Sequence, residues 1–220
     1  MTRATRRWER GRLASGIYDA GVERVWAGRL FARLLWRADA RPFYAQADVL
    51  ADLDGSAVLD VPCGGGVLVR GLPAAPAPGP FYVGCDISPV MLQRARRRFG
   101  RVRLGPQLVR ADVHALPFAD ARFDLCLTQN GLHCFPRPER AVAEMRRVLK
   151  PGGEVRGTVV AAGTGRWSDL LIGLALRTGL FAVRVYERDL REWLSATGLE
   201  RVTVERSGAL LLFSARRPLG

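Results

Sequence analysis

The order of apolar and polar positions predicts that helices and strands alternate along this chain. Between Ile17 and Leu53 apolar residues recur every three or four positions, which is typical of helices, and Pro42 divides that region into two helices, since proline starts a helix more readily than it continues one. Short apolar runs then predict five strands, at positions 57–61, 81–86, 107–110, 123–128 and 154–161. Further helices are expected at 88–98, 138–149, 166–177 and 188–197, and two final strands at 199–205 and 209–215.

This alternation predicts an α/β fold with a doubly wound, mostly parallel sheet of seven strands and helices on both faces. Only Arg206, Ser207 and Gly208 join the last two strands. Since such a connection is too short for a crossover helix, these strands should form an antiparallel hairpin at the C-terminus. The length of 220 residues and the mass of 24.2 kDa fit a single domain.

Acidic residues and glycines stand at the carboxyl ends of the first three predicted strands, where open parallel sheets bind their ligands. Asp60 ends the first strand, and the glycines at 64–66 that follow it let the backbone approach a ligand closely. Asp86 ends the second strand and can accept two hydrogen bonds from a ribose diol. Asp112 follows the third strand and can accept one from an exocyclic amine. These strand ends together predict an adenosine site.

The glycine spacing argues against two other nucleotide sites. Val69 stands where the dinucleotide pattern Gly-x-Gly-x-x-Gly needs its third glycine. A phosphate-binding loop would need Gly-Lys-Ser or Gly-Lys-Thr, which the sequence lacks. The adenosine cofactor is therefore expected to be neither a dinucleotide nor a nucleoside triphosphate.

Five motifs in order resemble the class I S-adenosylmethionine-dependent methyltransferases. They are Val-Leu-Asp-x-x-Cys-Gly-x-Gly at 58–66, the acid at 86, Ala-Asp-Val-His-Ala-Leu-Pro-Phe at 111–118, Phe-Asp-Leu-Cys at 123–126 and Arg-Val-Leu-Lys-Pro-Gly-Gly at 147–153. Asn-Gly-Leu-His-Cys-Phe at 130–135 resembles the ubiquinone/menaquinone-biosynthesis-like small-molecule branch, methyltransferase type 11. The resemblance implies a Rossmann-like fold. Pro62 departs from the family pattern, which usually has glycine there, so the first loop loses one backbone donor.

The resemblance also implies the cofactor, S-adenosyl-L-methionine with S-adenosyl-L-homocysteine as product, and the residues that bind it. Asp60 would orient the glycine loop and the amino group, Asp86 would hold the ribose hydroxyls, and Asp112 would hold the adenine. The whole implied set comprises Tyr18, Asp60, Cys63, Gly64, Gly66, Asp86, Ile87, Met91, Asp112, Val113 and Asn130. Residues 1–54 would then form a helical lid, 55–162 the cofactor-binding core, and 163–220 the substrate-side helices and final antiparallel strands of one methyltransferase domain.

Methyl transfer from a sulfonium depends mainly on positioning, because the leaving group is already activated. A general base is needed only where the acceptor must lose a proton, and His133 is the candidate, since its loop follows the fourth strand. Aromatic residues are frequent in the N-terminal helices and between Gly163 and Tyr186. We therefore expect methylation of an O or C atom in an apolar or aromatic small molecule, which would be a lipid or a quinone-like or polyketide-like metabolite.

The formal net charge of +13 keeps two alternatives open, an RNA methyltransferase and a protein that binds the cofactor without catalysis. Arginine supplies all but one of the 34 basic residues, a bias typical of a GC-rich genome, and no Asn/Asp-Pro-Pro-Tyr signature follows the fourth strand. We therefore expect a small-molecule acceptor rather than nucleic acid, with peripheral contact with an anionic membrane left open. Lys150 is the single lysine.

The cysteines and the N-terminus give the remaining expectations. Cys63, Cys85, Cys126 and Cys134 form no Cys-x-x-Cys pair, so neither a metal site nor a redox dithiol is predicted. Positions 1–12 are basic but lead into no apolar signal segment, and no apolar run reaches the length of a membrane span. These features predict a cytoplasmic protein, and the sequence leaves its state as a monomer or a homodimer open.

Overall fold

A computed structural model describes residues 25–68, 80–100 and 106–220. Its strands are β1 (Ala57–Asp60), β2 (Phe81–Asp86), β3 (Gln107–Arg110), β4 (Phe123–Gln129), β5 (Leu149–Val160), β6 (Glu200–Ser207) and β7 (Leu210–Arg216). They form one seven-stranded sheet in the order β3-β2-β1-β4-β5-β7-β6. The pairs among β1 to β5 are parallel, whereas β7 pairs antiparallel with both β5 and β6. The predicted fold class is therefore confirmed.

Helices precede, connect and follow these strands. They are α1 (Val25–Leu35), α2 (Arg41–Asp48), α3 (Pro89–Phe99), α4 (Pro138–Val148), α5 (Arg166–Thr178) and α6 (Glu187–Ala196), with short 3-10 turns at Val49–Asp52 and Leu132–Cys134. No helix among these described residues is long and apolar enough to cross a membrane.

The central strands β1, β2 and β4 are buried on both faces of the sheet. Successive residues of β1 point to opposite sides, so that Val58 packs with Ala95 and Phe99 of α3, whereas Leu59 belongs to the larger core that contains the apolar faces of α4 and α6. This double burial explains why the parallel strands are continuous apolar runs in the sequence rather than alternating ones.

The strand order changes direction between β1 and β4, so the switch point of the sheet lies between these two strands. The carboxyl ends of β1, β2 and β4 therefore lie side by side at one edge. Ser88 caps α3 beyond β2, with its hydroxyl accepting a hydrogen bond from the Met91 N–H at 3.4 Å and proline in the first turn, as the sequence predicts.

One strand begins earlier than the sequence indicates. The prediction of a helix through Leu149 and a strand from Glu154 is wrong at this junction, because Leu149 already pairs with Phe123 and β5 runs through the Lys-Pro-Gly-Gly segment. The register shifts before Glu154 pairs with Leu125, so the extra residues form an irregularity in the strand. Lys150 fixes this segment, since its Nζ lies 2.8 Å from an Asp124 carboxylate oxygen.

Candidate active site

Asp60, at the end of β1, lies under the first loop with its carboxyl group buried. The Tyr82 hydroxyl donates a hydrogen bond to Oδ2, whereas Oδ1 finds no partner among the residues that the structure describes. Burial raises the pKa of Asp60 to about 7, although the Tyr82 hydrogen bond opposes this rise. A buried carboxylate oxygen without a donor is a place where a ligand's N–H or O–H group would be stabilised.

Asp86 connects the end of β2 to both flanking turns. Its Oδ2 accepts from the Gly64 N–H at 2.9 Å, and its Oδ1 accepts from the Ser88 N–H at 2.8 Å. Burial raises the pKa of Asp86 to about 6, and these backbone hydrogen bonds limit the rise. Each carboxylate oxygen can accept more than one hydrogen bond, so the geometry still accommodates a diol.

Asp112, beyond β3, is the most exposed of the three predicted aspartates. It accepts hydrogen bonds from the backbone N–H of His114 at 3.0 Å and lies 2.6 Å from the Nδ1 atom of the same residue. Partial burial would raise the pKa of Asp112, but the contacts with His114 outweigh it and hold that pKa below its usual value. Asp112 therefore stays ionised where an amine would meet it.

The end of β4 brings two amide side chains to the same edge. Gln129 accepts a hydrogen bond from the Thr158 hydroxyl at 2.9 Å, and its Nε2 has no partner among the described residues. Asn130 has a φ of 52°, a conformation that asparagine tolerates better than most residues. Its backbone N–H donates to the Thr158 carbonyl oxygen at 2.9 Å, which fixes the turn between β4 and the Leu132–Cys134 segment.

These strand ends surround a cleft of about 970 Å³, which we call the cofactor cavity. Of the residues predicted from the sequence, it is lined by Asp60, Cys63, Gly64, Asp86, Ile87, Met91, Asp112, Val113 and Asn130. Gly64 has a φ of 53°, and a Cβ atom at this position would have no other atom within 4 Å. The space beside Gly64 is therefore open to a ligand.

Among the described residues, one predicted cofactor residue is not brought to this lining. Gly66 packs against α3 instead, where a Cβ would come within 3.1 Å of the Phe99 ring and 3.3 Å of the Ala95 backbone. Tyr18 lies outside the described residues. The peptide bond between Val61 and Pro62 is cis, and Pro62, which departs from the family pattern, lines the cavity.

Sequence reasoning missed several lining residues. His114 and Gln129 line the cofactor cavity as buried polar groups. Gln129 carries a signal that could have revealed it, because an amide at the end of an apolar strand next to the switch point is rarely buried without a partner. Phe43 of α2, which closes one side, is one of the aromatics of the N-terminal helices that the sequence places around the pocket.

A second cleft of about 850 Å³ adjoins the first, and we call it the acceptor cavity. Both cavities have Phe43 and Asn130 in their walls, so they meet there. Its lining is almost wholly apolar and comes from the N-terminal helices, β5, β7 and the segment after α5. The lining residues are Gly28, Phe31, Ala32, Trp36, Ala38, Ala40, Phe43, Tyr44, Asn130, His133, Val160, Leu180, Phe181 and Leu210.

His133 is the buried ionisable side chain in that lining. Its Nδ1 accepts a hydrogen bond from the Val160 N–H at 3.3 Å, and its ring lies 4.0 Å from the Phe181 ring between centroids. Burial lowers the pKa of His133 to about 3, so the ring is neutral at ordinary pH. Because Nδ1 is the acceptor, the proton of the neutral ring lies on Nε2.

Comparison with known proteins agrees with this geometry. Residues 59–156 match the family model of a methyltransferase domain. The phthiotriol/phenolphthiotriol dimycocerosates methyltransferase 1 of Mycobacterium ulcerans is 31% identical over 183 residues, which are 80% of this chain and 65% of that protein. The ubiquinone/menaquinone biosynthesis C-methyltransferase of Bordetella avium is 35% identical over 139 residues, 63% of this chain and 48% of that protein.

A crystal structure from Bacillus halodurans, described as that of a methyltransferase, shares the fold with a TM-score of 0.66 and 22% identity, and the match covers 80% of this chain and 99% of that one. The chain spans less than two thirds of the length of each of the two curated relatives named above. The sheet order and these matches show the fold of the class I S-adenosylmethionine-dependent methyltransferases, and 98 of the 220 residues match a methyltransferase domain. These findings agree with the resemblance read from the motifs.

Proposed function

We propose that this protein transfers a methyl group from S-adenosylmethionine to an O or C atom of an apolar or aromatic small molecule, which is a lipid or a quinone-like or polyketide-like compound. The observation that carries the proposal is the junction of an acid-lined cavity with an apolar one at Phe43 and Asn130. Two relatives support the same class of acceptor, since they are named as a phthiotriol/phenolphthiotriol dimycocerosates methyltransferase and a ubiquinone/menaquinone biosynthesis C-methyltransferase.

The residues of the cofactor cavity fit S-adenosylmethionine. We assign the ribose hydroxyls to Asp86, the adenine amine to Asp112, and the amino group of the methionine part to Asp60, whose Oδ1 has no donor among the described residues. The open space beside Gly64 suits the same part of the cofactor. When bound, S-adenosylmethionine supplies a methyl group already activated on a sulfonium. Of the other predicted residues, Cys63, Ile87, Met91, Val113 and Asn130 line the cavity and keep their proposed role in binding the cofactor.

We propose that His133 acts as a hydrogen-bond donor to the acceptor, a different role from the general base that the sequence indicates. A general base must accept a proton, but the Nδ1 of His133 is already paired with the Val160 N–H and the ring has a pKa of about 3. The geometry favours Nε2–H as a hydrogen-bond donor to an oxygen of the acceptor. In that role His133 orients the acceptor and stabilises negative charge on its oxygen. The role of general base stays an untested prediction.

The alternative functions have weaker support. The net charge of +13 favours an RNA substrate. Among the described residues, however, the polar side chains of the acceptor cavity are limited to Trp36, Tyr44, Asn130 and His133, which offer few partners for a nucleotide. Binding of the cofactor without catalysis would leave the apolar cavity without a use. The cytoplasmic location, peripheral contact with an anionic membrane and the choice between monomer and homodimer remain predictions.

Titration with S-adenosylhomocysteine tests the assignment of the cofactor cavity, and a cavity-filling variant tests the assignment of the acceptor cavity. Binding should release or absorb heat and raise the melting temperature, whereas no heat and no shift would refute the cofactor assignment. Ala32→Phe places a ring in the acceptor cavity and should abolish turnover while leaving that titration unchanged. Leu34→Phe is the matched control, since Leu34 is exposed on the same helix and outside both linings.

A further inference from the structure

Two neighbouring helices present large apolar side chains to the surrounding medium. On α1 these are Trp26, Leu30 and Leu34, which recur every four residues and are 66%, 50% and 63% exposed. On α5 they are Trp167, Leu170 and Leu174, which are 47%, 64% and 58% exposed. We call these six side chains the apolar face. Helical spacing of this kind gives each helix one outward stripe, and the two helices contact each other.

The apolar face is unusual within this protein. Nine large hydrophobic residues are exposed in the described part of the chain, and seven of them lie on α1 and α5. These seven are the six side chains of the apolar face and Phe31. The aromatic content of both segments led to the expectation that they surround the acceptor, yet Trp26, Trp167 and Leu170 lie outside the acceptor cavity. An apolar surface of this extent indicates a binding partner.

The charges beside the apolar face indicate which partner. Arg29 and Arg33 of α1 and Arg166 and Arg177 of α5 are exposed, and Asp169 is the one acidic residue in the two helices. Asp169 is engaged locally, because its Oδ1 accepts from the Gly163 N–H at 2.8 Å. Tryptophan and leucine flanked by arginine are typical of helices that lie in the interface of an anionic bilayer. Pairing with a second copy would instead bring arginines together.

The position of the apolar face gives it a use. Gly28, Phe31 and Ala32 of α1 line the acceptor cavity, and Phe31 is also 38% exposed at the surface. An acceptor dissolved in the bilayer would therefore pass along α1 into the cavity with little exposure to water. We propose that the apolar face docks this protein on an anionic lipid bilayer, with α1 and α5 lying in the interface. Its use for delivery of the acceptor rests on the proposed function, whereas docking itself does not.

Vesicle flotation tests the docking with phosphatidylcholine vesicles prepared with or without phosphatidylglycerol. We expect the protein to float with the anionic vesicles, to bind them about tenfold more tightly than neutral ones, and to be released by salt. The double substitution Leu34→Ser and Leu174→Ser should weaken binding at least tenfold, since it removes two exposed apolar side chains from the interface. Leu219→Ser is the matched control, because Leu219 is 84% exposed away from both helices.

Three results would overturn the docking. They are no flotation of the unmodified protein, flotation of the double variant equal to that of the control, and light scattering that shows a dimer converted to a monomer by the double variant. Should the leucine variant be recovered unfolded, Arg29→Glu with Arg33→Glu tests the same face through its charge and should lose the preference for anionic vesicles. Titration of each variant with S-adenosylhomocysteine separates failure of docking from failure of the proposed function.

Discussion

The affinity of the cofactor cavity for S-adenosylhomocysteine should depend on pH through Asp86. The ionised carboxylate accepts the ribose hydroxyls, and the pKa of this group in the ligand-free protein is about 6 because burial raises it. Because the ribose diol binds only the ionised carboxylate, binding at low pH requires Asp86 to lose its proton first. Affinity should therefore fall as pH drops through 6, and protonation of Asp86 alone gives a loss of about tenfold between pH 8 and pH 5.

Isothermal titration at several pH values, in buffers of different ionisation enthalpy, measures both the affinity and the protons released. Asp86→Asn removes the titrating group, so the variant should bind weakly with no pH-dependence from this position. Asp60→Asn is the control, because it removes the other buried carboxyl of high pKa and should leave the part due to Asp86 in place. Affinity of the unmodified protein that stays flat from pH 5 to pH 8 would refute the reasoning.

Substitutions at three further positions test other parts of the site. His133→Gln retains a donor near Nε2 and should keep activity within about tenfold, whereas His133→Ala should lose about 10- to 100-fold. Equal losses in the two variants, together with an acidic limb in the pH–rate profile of the unmodified enzyme, would indicate that His133 is a base. Tyr82→Phe removes the hydrogen bond to buried Asp60 and should lower the free energy of unfolding by about 1–3 kcal/mol in urea titrations, and no change would show that this contact is dispensable. Gly131→Ala places a Cβ against the Pro62 ring and should cost about 1–3 kcal/mol and weaken cofactor binding, whereas Gly173→Ala, with nothing closer than 3.8 Å, should be neutral or stabilising.

The parts of the fold that local pattern determines were predictable from the sequence. β2 and β3 have the predicted bounds, because each is an apolar run closed by turn residues. The Ser88 cap was equally local. β5 was not, because its first residue is defined by pairing with Phe123, a partner 26 positions earlier that no local pattern shows. Boundaries set by long-range pairing are invisible to periodicity.

The site follows the same division. Asp60, Asp86 and Asp112 could be placed together because parallel strands bring their carboxyl ends to one edge. Gly66 looked like a ligand-contacting glycine, yet its place is explained by close packing against α3, which depends on how the helix approaches. The hydrogen bond that fixes the tautomer of His133 also comes from a distant strand, so the sequence could name that residue but not its chemical state.

The charges behind the net value of +13 are not distributed evenly over the molecule. The cofactor cavity is acidic, with three aspartates in its lining, which suits the positive sulfonium. Many of the described arginines lie on helices, including the two helices that carry the apolar face. In our proposal, part of the excess positive charge therefore faces an anionic bilayer rather than nucleic acid.

The most direct test of the central claim is to follow a labelled methyl group. The purified protein is incubated with methyl-labelled S-adenosylmethionine, a total lipid extract and bulk RNA, and the label is then traced by organic extraction and mass spectrometry. Our account predicts label in an organic-soluble small molecule, with loss of that product in Ala32→Phe. Label in RNA, or cofactor binding with no labelled lipid, quinone-like or polyketide-like product, would contradict it.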